Sequence, residues 1–491
     1  MEPDPGAWYV DKTRGTRLTF RPKPDEAVVR FDGDALARVV AAAPVRSVSR
    51  GADQRRGIAA LHVEPGWSVE DVPGVRDALP VMVDGDGLSR YFLPGELTVQ
   101  FHVDDAEPLI RARGSRIIRR QRTPGYFTVT VPDGLDLFAA IRAFAALPEV
   151  TFAEPSEVGF DDALAYLPDD PDFPALWGMR NTGQTVNGVA GLAGIDIGAA
   201  AAWDLQRGSR DVIVTVIDTG ADLDHPDLLD NLLPRGAEDW DFADAGDPAP
   251  DDTAGHGTHV AGTAAGVDNQ VGVIGVAPSC RIMPLRIDLT AGVNQNRADA
   301  INYVRQQAAA NPARRYVVNC SWRTSGDHIG VRTAIEDTVA AGVLIVFAAG
   351  NSNRNTDVTP EFPGVYPQVI AVAALDQSGR RATFSNFGGN VDVSAPGVNI
   401  FSSLPDDAHG FLDGTSMAAP HVTGLAALVW SVAPGLTGTQ VRRIIEDTCD
   451  DVDTDNPGFA GLLGRGRVNA FRAVQLAQFT AGYAPSLPAF F

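Results

Sequence analysis

Cysteine is scarce in this chain: Cys280, Cys320 and Cys449 are the only three in 491 residues. Their odd number and wide spacing argue against a disulfide framework and predict buried free thiols in a reducing compartment. None has a metal-ligating neighbour at close spacing. Long apolar runs are missing as well. The longest, between Gly342 and Gly350, falls far short of the roughly 20 residues needed to cross a bilayer, so no membrane partner is expected. The N-terminus, Met1-Glu2-Pro3-Asp4-Pro5, has no basic region followed by an apolar one and reads as no secretory signal. Cationic charge is in deficit, with 40 Lys and Arg against 62 Asp and Glu and a formal net charge of −22. That balance argues against nucleic acid as a partner, because binding phosphate requires clustered Lys and Arg. It suits solubility first and cation binding second.

What is present is ample apolar material for a core, 44% of residues with 21% charged, in a chain too long for one average domain. From about Asp211 short apolar runs alternate with helical patterns. Strands are expected at 211–217, 281–287, 315–320, 343–348 and 369–374, each rich in Val and Ile and apolar on both faces. Helices are expected at 257–266, 298–310, 331–341 and 416–431. This alternation predicts an α/β fold with a doubly covered parallel sheet. Asp218 and Asn351 then fall just past the carboxyl ends of strands, where open α/β sheets place their sites.

The first 160 residues differ in texture and carry two units of similar order, the pattern of an internal repeat. One runs from Ala27–Phe31 through a helix at Asp34–Ala42 to Gly57–Val63 and ends near Val75–Val83. The other runs from Leu97–Phe101 through helix 106–113 to Tyr126–Val131, helix 135–147 and strand 150–155. Such a β-α-β-β-α-β order predicts one or two small ferredoxin-like α+β modules. The first copy lacks an obvious second helix. Domains are accordingly expected at 1–95, 96–160 and 161–480, with a tail at 481–491. The acidic stretch Glu238–Asp252 reads as a solvated surface loop.

The chemistry is concentrated in three short segments. Gly414-Thr415-Ser416-Met417 places a serine at the start of an apolar helix, where unpaired N–H groups and the dipole stabilise developing negative charge. A serine needs a base within reach, and Gly255-His256-Gly257-Thr258-His259 supplies one. Val216-Ile217-Asp218-Thr219-Gly220 supplies an acid to orient that base. With Ala348-Ala349-Gly350-Asn351, these motifs resemble the subtilisin-like serine proteases over about Tyr166 to Ala473, in the chain order Asp, His, Ser. The resemblance implies a serine endopeptidase in which Ser416 attacks the peptide carbonyl, His256 relays its proton and Asp218 orients His256. Asn351 would then hold the oxyanion. No catalytic cofactor is implied.

The same resemblance places the polypeptide substrate along Ser321, Trp322 and Arg323 and beside Ala349 and Gly350, as an added strand. Arg323 stands where the family usually has glycine; it either recruits an acidic substrate side chain or narrows the pocket and points to solvent, and a shift away from broad specificity is expected. It also implies a structural Ca²⁺ held by Asp170, Asp227, the Asn269 side chain and the carbonyls of Val267, Val271 and Val273, an oxygen set suited to that ion. The N-terminal region resembles the family's pro-domain, an intramolecular inhibitor and folding chaperone. Self-cleavage between Phe160 and Asp170 would follow, and residues 1–95 would be a diverged copy used for a regulatory partner. His259, lacking any zincin pattern, is expected to be structural, His421 packed, and Asp222 and Asp224 turn-forming or at the surface. A latent pseudo-enzyme or binding module is the alternative. A lipase-type hydrolase lacks support, because no Gly-x-Ser-x-Gly elbow surrounds Ser416. The missing signal and free thiols predict a cytoplasmic location; calcium and a pro-domain would suit secretion by a non-standard route.

Overall fold

The computed structural model describes residues 7–31, 39, 45–53, 57–64, 66–68, 72–85, 89–103, 105–121, 123–158, 166–234, 240–244 and 246–482. The chain divides into two compact units, Met1–Leu164 and Ala165–Phe491.

The first unit opens with a hairpin of β1 (Trp8–Asp11) and β2 (Thr16–Thr19). Next come β3 (Arg21–Phe31), β4 (Val45–Asp53), β5 (Ile58–Val63), β6 (Val75–Val83) and β7 (Ser89–Arg90), an antiparallel sheet ordered β4-β5-β3-β6-β7. A second module follows: β8 (Phe92–Phe101), α1 (Glu107–Ala112), β9 (Ile117–Arg120), β10 (Tyr126–Thr130), α2 (Leu137–Ala145) and β11 (Val150–Glu157), with sheet order β11-β8-β10-β9. Asp136 caps α2 by accepting the Ala139 N–H, and Leu137, Phe138, Ile141 and Phe144 bury its apolar face. The pattern did not reveal β9, because this edge strand is short and ends in exposed Arg119 and Arg120.

Numbering the strands of each module from one to four, β3-β4-β5-β6 and β8-β9-β10-β11, both sheets run 4-1-3-2. A local device recurs with that order. The Phe31 N–H donates to Gly57 O and the Phe101 N–H to Gly125 O, both at 2.9 Å. Gly57 and Gly125 have φ of +64° and +77°, and a Cβ on either would collide with the carbonyl oxygen of that phenylalanine. Only glycine fits so close a backbone approach. The helix expected at 34–42 lies outside the described residues except for Val39, which is helical and buried.

The division expected at residue 95 is crossed by the first hairpin. Phe20 packs into the core of the second module, edge-on to Phe92 at 5.2 Å and stacked with Phe138 at 5.6 Å. Trp8 lies between the guanidinium groups of Arg17 and Arg142, and Lys12 Nζ donates to Val150 O at 2.6 Å.

The second unit begins with a small hairpin, β12 (Thr185–Val186) and β13 (Val189–Ala190), and helix α3 (Ala199–Trp203). Its centre is a parallel sheet of β14 (Val212–Asp218), β15 (Arg281–Arg286), β16 (Arg315–Cys320), β17 (Leu344–Ala348), β18 (Ile370–Leu375) and β19 (Val393–Pro396), ordered β15-β14-β16-β17-β18-β19. Five of these match the expected strands within a residue or two. The sixth, β19, was missed because Pro396 and short length hide it. The helices are α4 (His256–Ala265), α5 (Asn294–Ala310), α6 (Ile329–Ala340), α7 (Thr415–Val432), α8 (Gly438–Asp447) and α9 (Ala470–Gly482). Successive residues of β14 serve opposite cores. Ile213 and Ile217 pack in the cluster with Ile301 and Ile335 of α5 and α6, whereas Val214 and Val216 pack with Val260 of α4 and Leu425 of α7. Burial on both faces is why these strands read as continuous apolar runs. The three cysteines are free thiols, Cys280 and Cys320 fully buried, and their burial pushes the thiol pKa values up.

Candidate active site

Asp218 is the last residue of β14 and is fully buried. Its Oδ1 accepts the Thr219 N–H at 2.8 Å and meets His256 Nδ1 at 2.6 Å. His256 opens α4, whose first turn is pinned from two sides. Thr219 Oγ1 accepts the Gly257 N–H, and Asp252 accepts the N–H groups of Ala254, Gly255 and Thr258. Burial alone would lower the His256 pKa; the charge of Asp218 and its hydrogen bond outweigh it, and the net shift is upward. With Nδ1 tied to the carboxylate, Nε2 is left as the proton acceptor.

Ser416 lies in the first turn of α7. Pro420, four residues on, has no N–H to give to Ser416 O, and Ser321 Oγ supplies that bond instead at 2.9 Å. Ser416 Oγ itself donates to Ser321 O at 3.3 Å, its hydrogen bond among the described residues. Asn351 sits past β17. Its Oδ1 accepts the Thr415 N–H at 2.9 Å and hydroxyl at 2.8 Å, which turns Nδ2 outward. A methyl placed on Gly414 would be 3.4 Å from both Asn351 Nδ2 and Ser416 N. Both nitrogens thus lie near one point at the serine, as the donors of an oxyanion site must.

Two backbone walls flank Ser416. One is Ser321–Thr324, the other Ala348–Asn351. Gly350 has φ of +101°, and its N–H donates to Thr415 Oγ1 at 3.0 Å. The segment Glu361–Gly364 closes the far side: Phe362 O accepts the Thr324 N–H at 2.9 Å, and Gly364 lies over Ala348 O. Of the residues expected to line the substrate path, Trp322 turns its ring inward. Its Nε1 donates to Ile217 O and its ring meets Phe347 edge-on, leaving only its backbone toward the walls. Arg323 reaches back to Glu361 at 3.2 Å. Glu361, which no local motif singles out, is buried there.

The loop after α4 gathers the six residues expected to hold a cation. Val273 N donates to Asp227 Oδ2 at 2.9 Å, Asn269 N to Asp170 Oδ1 at 3.4 Å, and Val267 N to Asp227 O at 2.7 Å. Asp170 Oδ2 and Asp227 Oδ1 are buried with no hydrogen-bond partner among the described residues. The carbonyls of Val267, Val271 and Val273 accept no backbone hydrogen bond among the described residues. Burial and the neighbouring carboxylates push the Asp170 pKa up to about 6. Orphaned oxygens of this kind fit a hard cation such as Ca²⁺. His409 joins the loop unforeseen, its Nε2 2.7 Å from Asp227 Oδ2.

His259 is fully buried and its Nε2 donates to Ile400 O at 2.9 Å; His421 Nδ1 donates to Met417 O at 2.9 Å. Burial depresses both pKa values to about 4. Asp222 is turn-forming, accepting the N–H groups of Asp224 and Asp406. The acidic stretch 238–252 departs from its solvated reading. Asp241 and Asp252 are buried, Asp241 paired with Arg286 at 2.5 Å and Asp252 capping α4. Asp241 needed a partner far along the chain, which local composition does not reveal.

The Subtilase family model matches residues 209–466, and a fervidolysin N-terminal prodomain model matches residues 85–156. A thermophilic serine proteinase of Bacillus sp. (strain AK1) is 34% identical over 392 residues, 78% of this chain and 88% of that protein. Thermitase of Thermoactinomyces vulgaris is 36% identical over 313 residues, 63% of this chain and all of its own length. Among solved structures, a protease of Pseudoalteromonas arctica PAMC 21717 aligns with a TM-score of 0.53 at 31% identity, covering 64% of this chain and 100% of its own. With more than half its length matched by one family and a second family's prodomain ahead of it, the chain belongs to the subtilases, as a subtilisin-like serine protease with an N-terminal prodomain.

Proposed function

We propose that the protein is an endopeptidase working through Asp218, His256 and Ser416, made as an autoinhibited precursor that processes itself. The observation that carries this reading is the 2.6 Å bond between His256 and the buried Asp218, together with two nitrogens, Asn351 Nδ2 and Ser416 N, near one point at the serine. In the reaction, His256 Nε2 takes the Ser416 proton as Oγ attacks the peptide carbonyl, then returns it to the leaving amine. Asn351 Nδ2 and the Ser416 N–H bind the oxygen as it gains charge. Water repeats the sequence on the acyl-enzyme. Ca²⁺ at Asp170, Asp227 and Asn269 with the Val267, Val271 and Val273 carbonyls would stiffen the loop behind α4 and take no part in chemistry. The support for it is the pair of orphaned carboxylate oxygens.

One observation favours a second reading, a latent form needing an activator: Ser416 Oγ is bonded to Ser321 O instead of to His256. Hydrogen bonds of catalytic groups often tighten only when substrate is present, so this alone does not displace the first reading. Residues 1–95 would serve a regulatory partner in either case. Intact-mass measurement of the wild type beside Ser416→Ala separates the possibilities. Wild type trimmed between residues 160 and 170, with the variant whole, is the expected result. Trimming in both would mean another protease acts, and two whole chains would favour latency. The segment 160–165 lies outside the described residues.

A further inference from the structure

The pair Arg323–Glu361 stands where the two walls beside Ser416 are joined. Glu361 is 6% exposed, and its side chain lies against Gly350: a Cβ on that glycine would be 2.9 Å from Glu361 Cγ. Gly350 is the neighbour of Asn351. The following residue, Phe362, is bonded to Thr324 of the opposite wall at 2.9 Å. The floor between the walls therefore carries a buried carboxylate within one residue of each wall's attachment. Its ion pair among the described residues is a single contact to Arg323, whose side chain is 68% exposed.

We propose that Glu361 makes this a protease for basic residues, accepting an arginine or lysine side chain on the acyl side of the scissile bond, with Arg323 as a displaceable stand-in for that cation. The inference rests on the peptidase reading of Ser416 and names the substrate class of that same site. A carboxylate this deeply buried needs a cationic partner, and leaving it unpaired under an apolar ligand is strongly unfavourable. Arg323 provides that partner weakly, because an exposed guanidinium is screened by water and gains little from a single contact. A substrate guanidinium entering between the walls would be desolvated and could bond Glu361 by both oxygens, the stronger geometry. Arg323 then returns to solvent, where it already mostly resides. An acidic substrate side chain would meet Glu361 as a buried like charge. Reading Arg323 alone, as the sequence invites, gives the opposite expectation.

The preference also bears on processing. No Lys or Arg occurs between Arg142 and Arg180, so self-cleavage at 160–170 must use a disfavoured residue and proceeds slowly beside cleavage of arginyl peptides.

The test is a series of fluorogenic tetrapeptides alike at three positions, with Arg, Lys, Phe, Leu or Glu before the scissile bond, given to the purified full chain. A fluorophosphonate labels Ser416 in parallel, and arginyl and phenylalanyl diphenyl phosphonates compare labelling rates if turnover is low. The expected result is kcat/KM for Arg and Lys at least about tenfold above Phe, with Glu361→Gln lowering the Arg-to-Phe ratio roughly 10- to 100-fold. Arg323→Ala should keep or raise that ratio. Phe or Leu preferred by the wild type, or a ratio untouched by Glu361→Gln, overturns the proposal while fluorophosphonate labelling leaves the peptidase reading intact. A preference for Glu overturns it in favour of Arg323 as the reader. No labelling and no hydrolysis of any peptide would overturn the peptidase reading and this inference together.

Discussion

At the scale of single residues, the site's chemistry turns on one hydrogen bond and one pair of donors. Asp218 holds the His256 pKa above its ordinary value, and protonated His256 cannot accept the serine proton. The acid limb of kcat/KM should therefore fall above pH 6.5, the ordinary imidazole value. A limb at or below that pH would mean that Asp218 does not stabilise the imidazolium. Asn351→Ala should lower kcat roughly 10²- to 10³-fold with little change in KM, the cost known for such a donor in a subtilisin. Steady-state kinetics on one peptide decides it; a fall confined to KM would point to a binding role. The four residues invoked here were legible because each sits in a short motif fixed by local backbone demands. Glu361 and His409 were not, since each acquires its partner from 38 and 182 residues away, across folds of the chain that spacing cannot express.

At the scale of elements, α4 and α7 are buried helices that each carry a neutral histidine. His259 and His421 titrate near 4 in the folded state against about 6.5 unfolded. The unfolded chain then binds protons more tightly between those values. Stability from each histidine is complete above pH 6.5 and is lost as pH falls toward 4, by up to roughly 3 kcal/mol each. Melting of Ser416→Ala, which prevents self-digestion, should show a larger drop from pH 7 to pH 4.5 than Ser416→Ala with His421→Gln. Equal drops would mean that His421 is not held neutral. The loop after α4 makes a second element-scale prediction. Chelation should lower the melting temperature of Ser416→Ala, with Ca²⁺ restoring it, and Asp227→Asn should abolish the difference. Melting insensitive to chelator and to added Ca²⁺ would remove the ion from the account and leave Asp170, pushed up to about 6, as a neutral acid below that pH. The helices and the inner strands of the sheet were readable because period 3.6 and unbroken apolar runs survive in the sequence; β9 and β19, short and carrying Arg or Pro, lack either signature.

At the scale of the whole chain, the sequence pattern separated the N-terminal region into two modules of like order, and the shared 4-1-3-2 strand order with paired Phe31–Gly57 and Phe101–Gly125 crossings supports a duplication. Pattern could not show which module the first twenty residues join, because a four-residue strand has no address of its own. The contacts supply it: Tyr9 stacks on Phe20, and Phe20 is wedged against Phe92 and Phe138. Removing a buried phenylalanine costs about 3–5 kcal/mol through lost contacts and the cavity left behind. For a small module, whose whole stability is about 5–15 kcal/mol, that is a large fraction. Phe20→Ala in the full chain, with Ser416→Ala to silence proteolysis, should therefore loosen α2 and β11, read as faster amide hydrogen exchange there. The parallel strands β14 to β18 should keep their protection, since their core is separate from Phe20. Unchanged exchange in α2 would make the hairpin dispensable and return the folding boundary to residue 95. Loss of protection everywhere would instead tie the stability of the protease unit to its prodomain, the behaviour expected of a folding chaperone still acting on the finished chain.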